Sequence, residues 1–160
     1  MGLVHNRYHW ALLIGPKNET PAGIGVRFDA KEKIEGPGRS AWVFEEREIS
    51  LFATEMLLVR MVIAKIEKRD LLESILRNVP IRQGTEGWNC VGWVKEALEL
   101  LTANNSPALG TNVTEWVKVR DAVMSYCERK KKEHRFDGKG NFDTRNVPTY
   151  DLILDKEIIE

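Results

Sequence analysis

The chain has 160 residues, with 24 Lys and Arg against 24 Asp and Glu, 42% hydrophobic and 30% charged residues. This size suggests one domain that buries roughly 70% of its unfolded surface, enough for a core without staples. A formal charge of zero argues against nucleic acid or an anionic membrane as partner, because both need a basic field. Two cysteines make neither a disulfide framework nor a zinc constellation. Met1–Tyr8 is polar, and the apolar run from Trp10 to Ile14 is too short for a signal peptide or a membrane span. The expected setting is cytoplasmic, with reduced thiols.

Tyr8–Ile14 (YHWALLI) is aromatic and β-prone, ends at Gly15-Pro16, and reads as a strand. Lys17–Ala22 is a polar loop. Ile24, Val26 and Phe28 alternate with Gly25, Arg27 and Asp29, the period-2 pattern of a half-buried strand, expected to pair antiparallel with the first. Glu35–Ser40 is turn chemistry, and Trp42–Leu51 is a third strand. Met56–Ile66 is dense in branched apolar residues and fits a central strand or the start of a helix, which periodicity alone does not separate; a strand is the favoured reading, with Met56 and Met61 in the core. A helix follows over about 68–78 and stops before Pro80. Ile81–Trp88 is a loop. Helices are expected over about 89–101 and 114–133, the second ending in the solvated basic run Arg129–Lys132, which suits the negative pole of the helix dipole. The expected division is a single α+β domain over 1–135, an antiparallel sheet packed against helices, followed by a largely irregular C-terminal tail over 136–160 with a short apolar segment at Leu152–Leu154.

Cys90 opens the first of those two helices, directly after Gly87-Trp88-Asn89. Unpaired N–H groups at a helix start carry partial positive charge, stabilise a thiolate and can hold a developing oxyanion. Cys90 also falls on the apolar stripe of that helix, so an inert buried thiol stays open as the alternative. Cys127 lies late in a helix within an apolar stripe and reads as core filler. His5 and His134 read as surface residues. His9 lies in the first strand, and if Ile14 faces Ile24 then His9 faces Asp29, with Cβ atoms about 5 Å apart. Such a carboxylate orients the imidazole and favours its charged form. Gln83, in the loop approaching Cys90, and Asn89 beside it are further candidates to donate to an oxyanion or substrate. Trp10, Trp88 and Trp93 either line an apolar acyl pocket or belong to the core.

A cysteine at a helix start with a strand His–Asp pair is the papain-like arrangement, here in reversed chain order. YHWALLIGP, GVRFDA and WNCVGWVKEAL together resemble the circularly permuted NlpC-type papain-like families, lecithin retinol acyltransferase and its phospholipase/acyltransferase relatives among them. The pattern resembles more closely still an uncharacterised family of small fungal proteins with YHWALLIGPK and WNCVxWV motifs, a likeness over most of residues 8–101 that carries no activity with it. The resemblance implies Cys90 as nucleophile and His9 as base. Where the acyltransferases carry a second histidine, this chain has Asp29. With so few residues ahead of the His9 strand, a strand that precedes it in those relatives is expected to be missing.

The residues therefore point to a cysteine hydrolase or acyl-transfer enzyme acting on an amide, ester or thioester, with Cys90, His9 and Asp29 as its site and no metal or organic cofactor. Its partner would be a small-molecule or peptide acyl substrate. The competing expectation is a catalytically inactive binding or accessory protein on the same fold, holding a hydrophobic pathway intermediate.

Overall fold

The computed structural model describes residues 8–16, 23–52 and 57–160. It is a mixed α+β architecture of small, largely antiparallel sheets and three helices. The first sheet has the order β1 (Leu12–Ile14), β2 (Ile24–Gly36), β3 (Arg39–Ser50), all antiparallel. β2 and β3 form a long hairpin whose turn contains Gly38 at φ 70°, a conformation that only glycine adopts freely. Alternation along β2 and β3 brings Phe28 and Phe44 together, with ring centroids 6.4 Å apart.

The core is closed by α2 (Cys90–Thr102), which lays Trp93, Val94, Ala97, Leu98 and Leu101 inside. Trp93 is fully buried with its ring 5.9 Å from Phe44. The helix α1 (Arg69–Arg77) adds Leu72 and Leu76, and α3 (Trp116–Lys132) adds Val119, Tyr126 and Cys127. Each is amphipathic and covers an apolar edge that the first sheet cannot cover alone.

Five expectations need correction. The first strand is shorter than Tyr8–Ile14: only Leu12–Ile14 joins the ladder, because the residues ahead of it are drawn onto α3. Trp10 packs 5.7 Å from the Trp116 ring, and Lys131 Nζ meets the Tyr8 hydroxyl. Ile14 pairs with Val26, not Ile24, and Leu12 with Phe28. A slip of two residues keeps every side chain on its own face, so alternation could not distinguish the two registers. Within 56–66, Met56 lies outside the described residues, as do His5 and the 17–22 loop. The rest is not one strand but β4 (Arg60–Val62) and β5 (Ala64–Ile66), which join different sheets. Met61 packs against the core from its margin.

The fourth correction is the C-terminal segment. Its last part is a hairpin, β7 (Thr149–Asp151) and β8 (Lys156–Ile159), with β7 parallel to β4 at the centre of a second sheet. Leu152–Leu154 is the turn of this hairpin: Asp151 Oδ1 accepts from the N–H groups of Ile153 and Leu154, each at 2.9 Å. β6 (Leu109–Asn112) pairs with β5. The basic run ending α3 is not wholly solvated either. Lys130 is 1% exposed and meets Glu133 Oε2 at 2.8 Å and Glu157 Oε1 at 2.5 Å, which pins β8 to α3. Among the described residues no helix is long and apolar enough to cross a membrane.

Candidate active site

Cys90 is the first residue of α2. Asn89 caps the helix: its backbone is extended, and its Oδ1 accepts from Val91 N–H at 2.9 Å. This cap turns the chain so that the Cys90 side chain lies at the helix mouth, 6% exposed, at the base of an open cleft of about 380 Å³. Gly92 belongs to the same construction. A Cβ there would stand 2.9 Å from Trp88 Cδ1, so glycine lets the Trp88 ring fold over the first turn of α2. Trp88 in turn meets Trp42 edge-on, with centroids 5.7 Å apart.

His9 lies three residues ahead of β1. The register places Ala11 opposite Asp29 when continued one step beyond Leu12–Phe28, so His9 stands diagonally from Asp29 on the same side rather than directly opposite. The diagonal is spanned: His9 Nε2 hydrogen-bonds Asp29 Oδ2. The Cys90 thiol lies close enough to the same imidazole to raise its proton affinity. Cys90, His9 and Asp29 are thus brought together, by a register other than the one expected. His9 owes its place to its neighbours. Trp10 is buried against Trp116, while Tyr8 is held by Lys131 and by a contact with the Cys127 thiol, so both residues flanking His9 are docked on α3.

The electrostatics follow from these contacts. The hydrogen bond to Asp29, then that to Cys90, raise the His9 imidazole to about 9 against the opposing effect of burial. Burial pushes the Cys90 thiol up, but hydrogen bonds from His9 and from the backbone N–H groups of Trp10 and Val91, with the charge of the imidazolium, outweigh it and bring the thiol below its ordinary range. Cys127 goes the other way: burial raises it. The two cysteines therefore differ chemically although both are buried. Asp29 is fully buried, as are its strand neighbours Phe28 and Ala30 on the opposite face.

The weaker candidates separate. Asn89 lines the cleft and caps α2. Gln83 is committed elsewhere: Trp42 N–H donates to its Oε1 at 3.0 Å, and its Nε2 donates to the Trp42 carbonyl. Both ends of the amide are engaged, so Gln83 fixes the edge of β3 and is not free to face an oxyanion. Trp10, 9% exposed, and Trp93 belong to the core, and Trp88 packs on Trp42 and Gly92. None of these three lines the cleft. The aromatic walls are instead Tyr8 and Trp42, with Lys31 and Glu32 at the rim. These four escaped the sequence reading. Glu32 reaches the cleft because it lies directly opposite Trp42 in the β2–β3 register, which the sequence alone does not fix. His134 is exposed and pairs with Asp137 at 2.6 Å, apart from the site. Among the described residues no group of three or more His, Cys, Asp or Glu is placed to hold a metal ion.

The chain belongs to a family of unknown function, DUF6914, whose family model matches residues 2–159. No curated protein and no solved structure matches it.

Proposed function

We propose that this protein is a cysteine-dependent hydrolase or acyl-transfer enzyme acting on an amide, ester or thioester. The observation that carries the reading is the connected series Cys90–His9–Asp29, in which a thiol of lowered proton affinity at a helix start bonds an imidazole of raised proton affinity backed by a buried carboxylate. Structural ion pairs also perturb titration, but few put a polarised sulfur at the floor of a cleft. The resemblance of the His-Trp and Asn-Cys segments to the permuted NlpC-type papain-like families supports the same reading and the same kind of fold.

In this reading the thiolate of Cys90 attacks the carbonyl carbon and an S–C bond forms. Negative charge develops on the carbonyl oxygen at the N-terminal end of α2, whose dipole favours it. The His9 imidazolium gives its proton to the leaving nitrogen, oxygen or sulfur as the bond to carbon breaks. The acyl-thioester of Cys90 is then released to water or another nucleophile, whose proton His9 takes up. Asp29 holds the ring so that its free nitrogen faces the sulfur throughout.

The experiment is site-resolved alkylation with iodoacetamide between pH 5 and 9, read by mass spectrometry, together with trapping of an acyl adduct from p-nitrophenyl acetate. Cys90 is expected to react well below pH 8, Cys127 only after denaturation, and the adduct to lie on Cys90 and vanish in Cys90→Ser. A Cys90 as slow as Cys127 would overturn the reading. A reactive Cys90 that never acylates favours the non-enzymatic binding protein.

A further inference from the structure

Asp29 raises a physical difficulty. It is fully buried, and in the β2–β3 register its direct cross-strand neighbour is Glu45, another carboxylate. Residues so placed have Cβ atoms about 5 Å apart, and like charges there repel. Arg27 lies between them. Its Nε stands 3.3 Å from Asp29 Oδ1, and its Nη2 donates to Glu45 Oε2. Arg27 Nε and Asp29 Oδ1 are both shielded from solvent and lack an aligned hydrogen bond among the described residues, and the guanidinium is the cation that meets that oxygen there. Lys31 Nζ, 3.6 Å from Glu45 Oε1, completes the group. Arg47 stands opposite Arg27 in the ladder.

We propose that Arg27 and Glu45 form a positioning device for the site, in which the guanidinium bridges two facing carboxylates and so holds Asp29 with Oδ2 turned to His9. This inference rests on the reading of Cys90, His9 and Asp29 as one site, and it adds two residues that never touch substrate. A planar guanidinium with several donors serves two carboxylates at once; a lysine ammonium on a flexible stem does so less well. The direct effect of the Arg27 charge on the imidazole is of the opposite sign, since a cation nearby disfavours imidazolium. The effect through Asp29 prevails, because the hydrogen bond to Asp29 is the largest influence on His9 and depends on where that carboxylate points.

The test is an NMR titration of the His9 ring in the wild type, Arg27→Met, Arg27→Lys and Arg27→Met/Glu45→Gln, which reads His9 whether or not Cys90 is reactive. Without the bridge the two facing carboxylates push apart and Asp29 turns from His9, so loss of that hydrogen bond is expected to lower the His9 midpoint by about one pH unit or more in Arg27→Met. It should fall by less in Arg27→Lys and recover in the double variant, where the repulsion is gone. A side chain that only supported the fold would not be rescued by neutralising Glu45. An unchanged or raised midpoint in Arg27→Met, or no recovery with Glu45→Gln, overturns the inference. Should Arg27→Met fail to fold, Arg27→Lys with and without Glu45→Gln makes the same comparison. Cys90 alkylation on the same samples tells the two ideas apart: a slow Cys90 in the wild type refutes the enzymatic reading, while His9 midpoints that ignore Arg27 refute only the device.

Discussion

Replacing Asp29 by asparagine removes the charge behind His9 while preserving shape. Asp29 is the largest contributor to the His9 rise from 6.5 to about 9, and a neutral amide does not favour imidazolium. With the imidazole returned toward its ordinary value, only about one site in ten would carry imidazolium at pH 7.5, against nearly all in the wild type. The thiolate of Cys90 loses that partner, so its alkylation rate at pH 7.5 is expected to fall about tenfold, and the acid limb of the rate profile should move to higher pH. The same change has a stability signature. A group whose proton affinity is raised by folding stabilises the fold fully below its unfolded value, near 6.5, and the contribution disappears as pH rises through about 9. The full shift would be worth about 3 kcal/mol, but the His9 side chain is 47% exposed, and solvent screening reduces this to about 1 kcal/mol. Urea unfolding of wild type and Asp29→Asn should therefore differ more at pH 6 than at pH 9.5, alongside iodoacetamide kinetics on Cys90. Identical rate profiles, or a stability gap that widens with pH, would refute the reasoning.

Two further perturbations probe the scaffold around the site. Gly92→Ala improves helix propensity by about 1 kcal/mol but places a methyl 2.9 Å from Trp88 Cδ1; displacement of a ring locked against Trp42 should prevail, with a net loss of about 1–2 kcal/mol and an altered near-ultraviolet circular dichroism spectrum, whereas a raised melting temperature would show that Trp88 yields freely. Glu157→Ala removes the oxygen 2.5 Å from buried Lys130 and the acceptor of the Tyr126 hydroxyl at 2.7 Å, leaving Glu133 to hold the ammonium; urea unfolding should show a loss of about 2–3 kcal/mol, and a loss under 1 kcal/mol would mean that Lys130 finds solvent once β8 is released.

Local pattern and composition determined much of this molecule. The 3.6-residue stripe through Val94, Ala97, Leu98 and Leu101, with Asn89 ahead of Cys90, marks both the helix and its capped start, because a cap is a property of adjacent residues. Alternation along Ile24–Phe28 marks the strand that carries Asp29. The helix mouth that holds Cys90 was legible for the same reason, whereas the approach of His9 to Asp29, twenty residues on, depends on the fold. Pairing over distance was decided only by tertiary structure. A two-residue slip leaves alternation intact, so whether Ile14 faces Ile24 or Val26 depends on how Phe28 and Ile14 fill the core. The central place of Thr149–Asp151 comes from a parallel partner almost ninety residues earlier in the chain, which no local pattern encodes. Gln83 looked free in sequence, but its amide reaches a strand edge forty-one residues away. The pairing of Asp29 with Glu45, and the bridge by Arg27, likewise exist only once β2 and β3 lie side by side, because the repulsion between two carboxylates depends on their separation in space and not on their spacing along the chain.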